Sequence, residues 1–537
     1  MIRTYDIKHD CRGMTEGEII DTILTDRGIE DIDHFLNPTE DDLLPLDSLQ
    51  NINEAYEQIE IDIESGVMIG VLADTDTDGI TAGTIMTKYL ETAYDIEVKT
   101  FINEGKAHGL KGQDLDRFTG ISLLIIVDSL DKDCECYKEL TKRGIDIIIL
   151  DHHAVNPEIP YDDYVTLVTS QVDYNNPSLS GAGVVWKFCK YIDKQNGTDY
   201  ADAFVDLAAC GLAADMMNMM NMENRYIVSK GLEKINNLAL KKIIGSYEFN
   251  TTAISFSVAP LINAANRMFK NEVALQAFLS DNEKEVAKYI KELRNAREEQ
   301  NEEVERLMPS VIDQCEDQID NKMIVAYIDS KYGIGGLLGN KLLEKYQRPI
   351  LILKDCDNKY SGSMRAVGVE DFHKIINDSG LATSEGHELA AGIDIPKENM
   401  EKFTTYIEEE LSSIETTTSI YADIQLDIND ITRSLIEQIK TLDRISGTGF
   451  KPIKVYVNSI TSYDVSNFSN YKHLVIKPKN YLLLIKWNWN GSFDDMEDNS
   501  IVEEELEIVA TLDSGWLGKS FVLKAICDEI NVRSDEI

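Results

Sequence analysis

The chain has 537 residues, too many for one hydrophobic core, so about three or four domains are expected. Lysine plus arginine total 52 against 95 aspartate plus glutamate; the resulting net charge of −43 excludes a protein that coats nucleic acid over its whole surface, and leaves only a locally positive channel. No apolar run approaches the roughly 18 residues of a membrane span, and Met1-Ile2-Arg3-Thr4-Tyr5-Asp6 starts without a secretory h-region. Eight scattered cysteines fit reduced thiols rather than a disulfide or zinc framework, so a cytoplasmic location away from membranes is expected.

Residues 1–46 read as a helical N-terminal segment, with one short helix around Glu16-Gly17-Glu18-Ile19-Ile20 and another ending near Phe35-Leu36-Asn37-Pro38. Residues 47–280 open with a helix at 52–63 that feeds the apolar run 67–73, bounded by Gly66 and an acidic loop. Such a run is the mark of a buried parallel strand. An amphipathic helix at 80–93, strands at 96–102 and 122–127, a helix at 132–143 and a strand at 145–150 then alternate, which predicts a doubly wound α/β domain. Residues 175–280 read as mostly helical. From Glu283 to Met308 there is no glycine or proline, and Val286, Ile290, Leu293, Arg297, Gln300, Val304 and Leu307 recur four and three apart. That spacing predicts a long linker helix within 281–320, solvated at its polar centre and ended or kinked at Pro309. Residues 321–414 read as a second α/β domain, with strands at 323–328 and 349–353 around a helix at 335–345. Residues 415–537 hold short β runs, at 454–457, 473–476, 481–487 and 521–525, that predict a small β-barrel.

Three of the predicted strands end in acidic or imidazole groups: Asp74-Thr75-Asp76-Thr77-Asp78-Gly79, then Asp128, then Asp151-His152-His153. Ligands gather at the carboxyl ends of strands in an open parallel sheet, so these groups converge on one rim. Carboxylates crowded there repel one another unless cations neutralise them. Oxygen donors with one or two imidazoles suit Mn²⁺ or Mg²⁺, and two such ions about 3.5–4 Å apart can act on both the attacking and the leaving oxygen of a phosphodiester. A calcium loop is the plainer reading of Asp-x-Asp-x-Asp-Gly, but position 85 is Ile where that loop needs glutamate. An isolated aspartate after a strand is commonly a turn or helix cap, so Asp128 gains meaning only from its company.

Asp76-x-Asp78-Gly79, Asp128, Asp151-His152-His153 and Asp215 in Cys210-Gly211-Leu212-Ala213-Ala214-Asp215 resemble the four motifs of the DHH phosphoesterases. Glu385-Gly386-His387-Glu388-Leu389-Ala390-Ala391-Gly392 is similar to the glycine-histidine motif of the DHH-associated domain. Pro260-Leu261-Ile262-Asn263-Ala264-Ala265-Asn266-Arg267 resembles a helix entry of RecJ-like exonucleases. The stretch 442–452, His473-Leu474-Val475-Ile476 and Trp516-Leu517-Gly518 are similar to the oligonucleotide-binding (OB) domain of that family. The resemblance spans almost the whole chain. It implies a DHH catalytic domain at 47–280, a DHH-associated domain at 321–414 and an OB-like nucleic-acid-binding domain at 415–537.

The resemblance further implies a hydrolase: a 5′→3′ exonuclease that degrades single-stranded DNA to mononucleotides with two Mn²⁺ or Mg²⁺ ions, acting in DNA repair and recombination. Asp78, Asp128, His152 and Asp215 would hold one ion. Asp76 and Asp128 would hold the other, with Asp128 bridging. His153 would back a ligand or meet the scissile phosphate. Ser363 and Arg365 match positions that bind the 5′-phosphate, a group that a guanidinium fork suits. Arg267 and His387 would contact the backbone near the ions. Single-stranded DNA is the expected partner, with a single-strand-binding protein or a helicase as further candidates. Three positions depart from the family pattern. Leu72 stands where a histidine is usual, with Asp74 as a possible substitute ligand. Asp128 is followed by Ser129 rather than glycine. An expected arginine is missing, for which Lys106 or Lys111, beside His108-Gly109-Leu110, could stand in.

Between 449 and 492, six lysines (451, 454, 472, 477, 479 and 486) meet one acid, Asp464. Phe450, Tyr456, Tyr463, Phe468, Tyr471, Tyr481, Trp487 and Trp489 are interleaved with them. A cationic groove with aromatic platforms is how OB folds hold single strands, although strand alternation must send some of these rings into a core. Two other readings share the first two domains: a phosphodiesterase for short RNA or cyclic dinucleotides, which has no need of the OB segment, and an inactive DHH-fold replication scaffold, which the retained acids argue against.

Overall fold

The computed structural model describes residues 3–105, 107–412, 418–461, 463–468, 473–478, 482–487, 501–502, 505–517 and 520–533. Lys106, Tyr471, Lys472, Lys479, Tyr481, Trp489 and Gly518, named above, lie outside them.

The chain begins with a strand, β1 (Arg3–Asp10). The first sheet follows: β2 (Ile69–Ala73), β3 (Val98–Ile102), β4 (Leu123–Val127), β5 (Asp146–Asp151) and β6 (Thr166–Thr169), all parallel, in the order β3-β2-β4-β5-β6. β2 and β4 are buried along their whole length because both faces are covered. Val71, Ala73, Ile125 and Val127 face a core shared with the helices Thr77–Tyr94 and Gly181–Asn196. Leu72, Leu124 and Ile126 face the opposite core, with Phe118, Tyr137 and Leu140. From β2 the chain moves outward to β3 and then returns to β4 on the other side. The switch point between β2 and β4 therefore opens a crevice at their carboxyl ends.

A helix runs from Glu283 to Glu316 and continues through Pro309, where a stop or kink was expected. Proline costs a helix interior about 3 kcal/mol. Beyond it, Val311 and Cys315 are buried against Ile324, Ala326 and Leu338 of the next domain, and that burial carries the helix on. Its centre is not wholly solvated either, since Gln300 is buried and accepts a hydrogen bond from Arg267. The second sheet contains β7 (Ile324–Tyr327), β8 (Ile350–Cys356), β9 (Lys359–Arg365), β10 (Thr383–His387) and β11 (Ala390–Pro396), ordered β10-β11-β9-β8-β7. The helix Gly335–Tyr346 joins β7 to β8.

The remaining strands are β12 (Thr418–Leu426), β13 (Val455–Ile460), β14 (Tyr463–Phe468), β15 (His473–Pro478), β16 (Leu482–Lys486), β17 (Ile501–Val502), β18 (Glu505–Leu517) and β19 (Ser520–Arg533). They form one sheet in the order β1-β12-β13-β18-β19-β16-β15-β14-β17, and among the described residues its two end strands are not paired with each other. Residues 1–46 are thus not a purely helical lead-in. β1 lies parallel to β12, with Tyr5 opposite Ile420 and Asp10 opposite Gln425. Its alternation of half-buried Tyr5, Ile7 and His9 with exposed Asp6, Lys8 and Asp10 is a strand pattern whose partner lies at the far end of the chain. The C-terminal sheet also shares its core with the domain of the first sheet. The Arg225 guanidinium lies 3.5 Å from the ring centre of Phe35 and 5.3 Å from that of Phe450, and donates to the carbonyls of Phe35, Met219 and Ile445. No described helix is long and apolar enough to cross a membrane.

Candidate metal centre

Each acid at the crevice is placed by the end of a secondary-structure element. Asp76 caps the helix Thr77–Tyr94, and its Oδ1 accepts the Gly79 amide over 3.0 Å. Asp78, in the first turn, is buried; its two oxygens accept the amides of Gly181 (2.6 Å) and Ala182 (3.1 Å), where the next helix begins. Asp128 follows β4 with a left-handed φ of 58°, a strained conformation of the kind found at functional sites. Asp215 caps the end of the helix Val205–Ala214. Two glycines allow this crowding. A Cβ on Gly181 would lie 2.4 Å from Asp128 Oδ1, and one on Gly211 would lie 2.1 Å from Asp78 Oδ1.

Three overlapping groups of donors result, each with ligand atoms within 4.8 Å of one another: Asp78, His152 and Asp215; Asp74, Asp76 and Asp128; and Asp128, His152 and His153. His152 Nε2 stands 3.2 Å from Asp128 Oδ1, 3.6 Å from Asp215 Oδ2 and 3.8 Å from Asp78 Oδ2. Asp128 Oδ1 is buried without a hydrogen-bond partner. An orphaned carboxylate oxygen in such a place is costly unless a cation meets it. Burial first, and then repulsion from neighbouring carboxylates, raises the pKa of Asp128 and Asp215; Asp78 is raised by burial against the opposing pull of His152, and Asp74 by burial against that of His108. This donor set fits hard divalent cations, which supply the missing positive charge.

The imidazoles have partners of their own. His153 Nδ1 donates to Asp151 Oδ1 over 2.8 Å and its amide to Asp151 Oδ2 over 3.0 Å, and the side-chain bond lifts the His153 pKa to about 9. Asp151 itself stays below the usual carboxylate range; its complete burial would raise it, but His153 more than offsets that. His108 Nδ1 lies 2.9 Å from both oxygens of Asp74. The loop that carries His108 is pinned by Asp131, which accepts the Leu110 amide, and by Asn103, which donates to the Gly109 carbonyl. Sequence reasoning left Asp74 as a substitute and gave His108 no role, because a separation of 34 positions hides the contact. Leu72, 1 % exposed, packs with Leu110, Phe118 and Ile126, so its place is filled by apolar neighbours and Asp74 completes the carboxylate group.

Arg267 donates to Gln300 over 3.3 Å. Arg365, from β9, donates Nε to Asn340 Oδ1 (2.7 Å) and another nitrogen to the Met364 carbonyl (2.7 Å). Neither bonds a carboxylate in these contacts. The Arg267 pKa is lowered by burial and then by the charge of Arg365. Ser363 precedes Arg365 by two residues on β9, its Oγ 3.3 Å from where a Gly335 Cβ would be. A Cβ on Gly336 would lie 2.4 Å from the Arg365 guanidinium, so the N-terminus of the helix Gly335–Tyr346 abuts it. His387 ends β10, exposed, and joins none of the three donor groups. Its hairpin reaches the domain of the first sheet through an ion pair of Glu385 with Lys132 at 3.0 Å. Lys111 is spent on Asp133 at the surface, 2.8 Å away. In the C-terminal sheet Phe450, Tyr456 and Tyr463 are buried and so are not stacking platforms, whereas Trp487 is exposed. Lys454 pairs with Asp528, and Lys486 donates to the Asp528 carbonyl.

Residues 68–212 match the DHH family, N-terminal domain. The prophage-derived single-strand DNA-specific exonuclease YorK of Bacillus subtilis is 30% identical over 443 residues, 75% of each chain. The single-stranded-DNA-specific exonuclease RecJ of Bacillus subtilis is 25% identical over 469 residues, 82% of this chain and 59% of its own length. The crystal structure of RecJ in complex with Mn²⁺ from Thermus thermophilus is similar in fold along 100% of this chain and 80% of its own, with a TM-score of 0.78 and 20% identity.

Proposed function

Because the chain belongs to the family of single-strand-DNA-specific exonucleases of RecJ type, we propose that it is a metal-dependent hydrolase that removes mononucleotides from single-stranded DNA in the 5′→3′ direction. The observation that carries this reading is the buried Asp128 oxygen, shared by two donor groups and without a hydrogen bond, together with two arginines whose bonds described above go to no acid. Asp78, Asp128, His152 and Asp215 would hold one Mn²⁺ or Mg²⁺ ion, and Asp74, Asp76 and Asp128 a second. When bound, such ions offset the charge that builds on a reacting phosphodiester and make water acidic enough to react at neutral pH.

The remaining groups position the strand. Asp151 fixes the ring of His153 through Nδ1, which leaves Nε2 free to meet the scissile phosphate. Arg267 supports the backbone, and Arg365 with Ser363 receives the terminal 5′-phosphate, for which a rigid planar fork is suited. His387, on its hairpin, reaches the strand from the second domain. Exposed Trp487 offers the C-terminal sheet a stacking surface for the strand beyond the site. Eight free cysteines suit the cytoplasm, and a single-strand-binding protein or a helicase would present the substrate. The test incubates 5′- and 3′-labelled single strands and duplexes with Mn²⁺, Mg²⁺ or chelator. Mononucleotides released first from the 5′ label, from single strands alone and only with metal, are expected; release from the 3′ end would overturn the direction.

A further inference from the structure

Phe269 occupies a position that the backbone normally gives to glycine. The helix Ala259–Arg267 ends in a Schellman turn: the Lys270 amide donates to the Ala265 carbonyl over 2.8 Å and the Phe269 amide to the Asn266 carbonyl over 3.3 Å. Phe269 takes the left-handed place in that turn, at φ 58°. A bulky side chain there is disfavoured, and glycine would fit without strain. Nor does core packing account for the ring, because 49 % of Phe269 is exposed.

The surroundings of the ring point to an occupant. Its edge rests on Gly105, where a Cβ would lie 2.9 Å from Phe269 Cε1. Asn271 clamps that glycine, accepting its amide over 3.1 Å and donating to its carbonyl over 2.9 Å. From the second domain, Tyr332 approaches to 6.0 Å between ring centres, the planes inclined by 37°. Arg267 lies two residues before Phe269. Tyr332 lies four before Gly336, against which Arg365 packs. The half-exposed ring is therefore carried by the segment that bears Arg267 and faces the segment that leads to Gly336, where Arg365 packs. A single strand offers a phosphate and a flat base at every nucleotide, and every base has a face that stacks on an aromatic ring.

Building on the exonuclease reading above, we propose that Phe269 is the stacking platform for the terminal nucleobase of the strand whose phosphate lies between Arg267 and Arg365, with Tyr332 bracing the ring from the second domain. A phenylalanine at a glycine position is then explained by substrate rather than by folding.

The test measures binding, with chelator present to prevent turnover, of 3′-labelled single strands whose 5′-terminal nucleotide carries adenine, thymine or no base. Wild type should bind the two complete strands about ten-fold more tightly than the abasic one. Phe269→Gly should bind all three alike and melt no lower than wild type, since glycine suits the turn, and Phe269→Trp should restore the discrimination. Equal binding of all three strands by wild type, or full discrimination by Phe269→Gly, would overturn the platform. Adding Mn²⁺ to the same wild-type mixtures separates the two ideas: base discrimination without hydrolysis keeps the platform and refutes the exonuclease.

Discussion

The acidic rim of the first sheet and the arginine pair beside it are opposite solutions to one problem, the burial of charge near a cleft. On the rim, Asp74, Asp78 and Asp128 are buried together, anchored by helix N-termini and His108, and Asp128 keeps an oxygen with no hydrogen bond. At the pair, Arg267 and Arg365 are half-buried and bond an amide and a carbonyl rather than acids. Several lysines elsewhere are instead paired with acids: Lys187 with Glu223, Lys230 with Asp202, Lys440 with Glu248 and Lys454 with Asp528. On a chain of −43, Arg267 and Arg365 thus keep donors that these contacts do not spend on carboxylates. One wall is completed by cations and the other by an anion, and a phosphodiester with its metal ions satisfies both.

The comparison can be broken from the acidic side first. Asp128→Ala should reduce hydrolysis by at least about a hundredfold while circular dichroism stays native, since removing one group that stabilises a reacting phosphate costs that order of rate. Activity above a tenth of wild type (about 10%) would remove Asp128 from the centre of the account. From the basic side, Arg365→Ala should slow cleavage of 5′-phosphorylated strands about tenfold or more beyond its effect on 5′-hydroxyl strands, the value of a charge-assisted hydrogen bond. Equal slowing of both substrates would mean that Arg365 serves another contact. A finer cut is His108→Ala, which should weaken one of two Mn²⁺ binding phases by about tenfold and leave the other unchanged, as the loss of a group that orients a ligand does. His108→Asn, which can still donate to Asp74, should recover part of the loss. The smallest effect on metal is expected from Leu72→His: it should tighten no Mn²⁺ phase and should lower the melting temperature, because the ring enters an apolar core.

The same contrast between near and distant partners explains what was legible in the sequence. In the first sheet β2, β4 and β5 were readable because each is a local apolar run and its acids end or follow the run, as in Leu123–Val127 and Asp128, whereas the short β6 was not predicted. The Asp74–His108 contact was not, since a loop brings the imidazole back across 34 residues. β1 was missed for the same reason at larger scale. Its weak alternation becomes a strand only when Thr418–Leu426 pairs with it. The helix does not end at Pro309, which local helix rules miss because they omit the burial of Val311 and Cys315 in the next domain. Arg267 and Arg365 were singled out by resemblance alone; that the charge of one reaches the other depends on how two domains meet. Phe450, Tyr456 and Tyr463 look the same in sequence as exposed Trp487, and only the packing sends them inward.

The central claim is that Asp128 is shared between two cation sites. Calorimetric titration of Mn²⁺ into the metal-free protein, wild type beside Asp128→Ala, tests it most directly. The account predicts two ions per chain for the wild type and the loss or marked weakening of both in the variant. A variant that still binds one ion with wild-type affinity, or a wild type that binds only one, would contradict it.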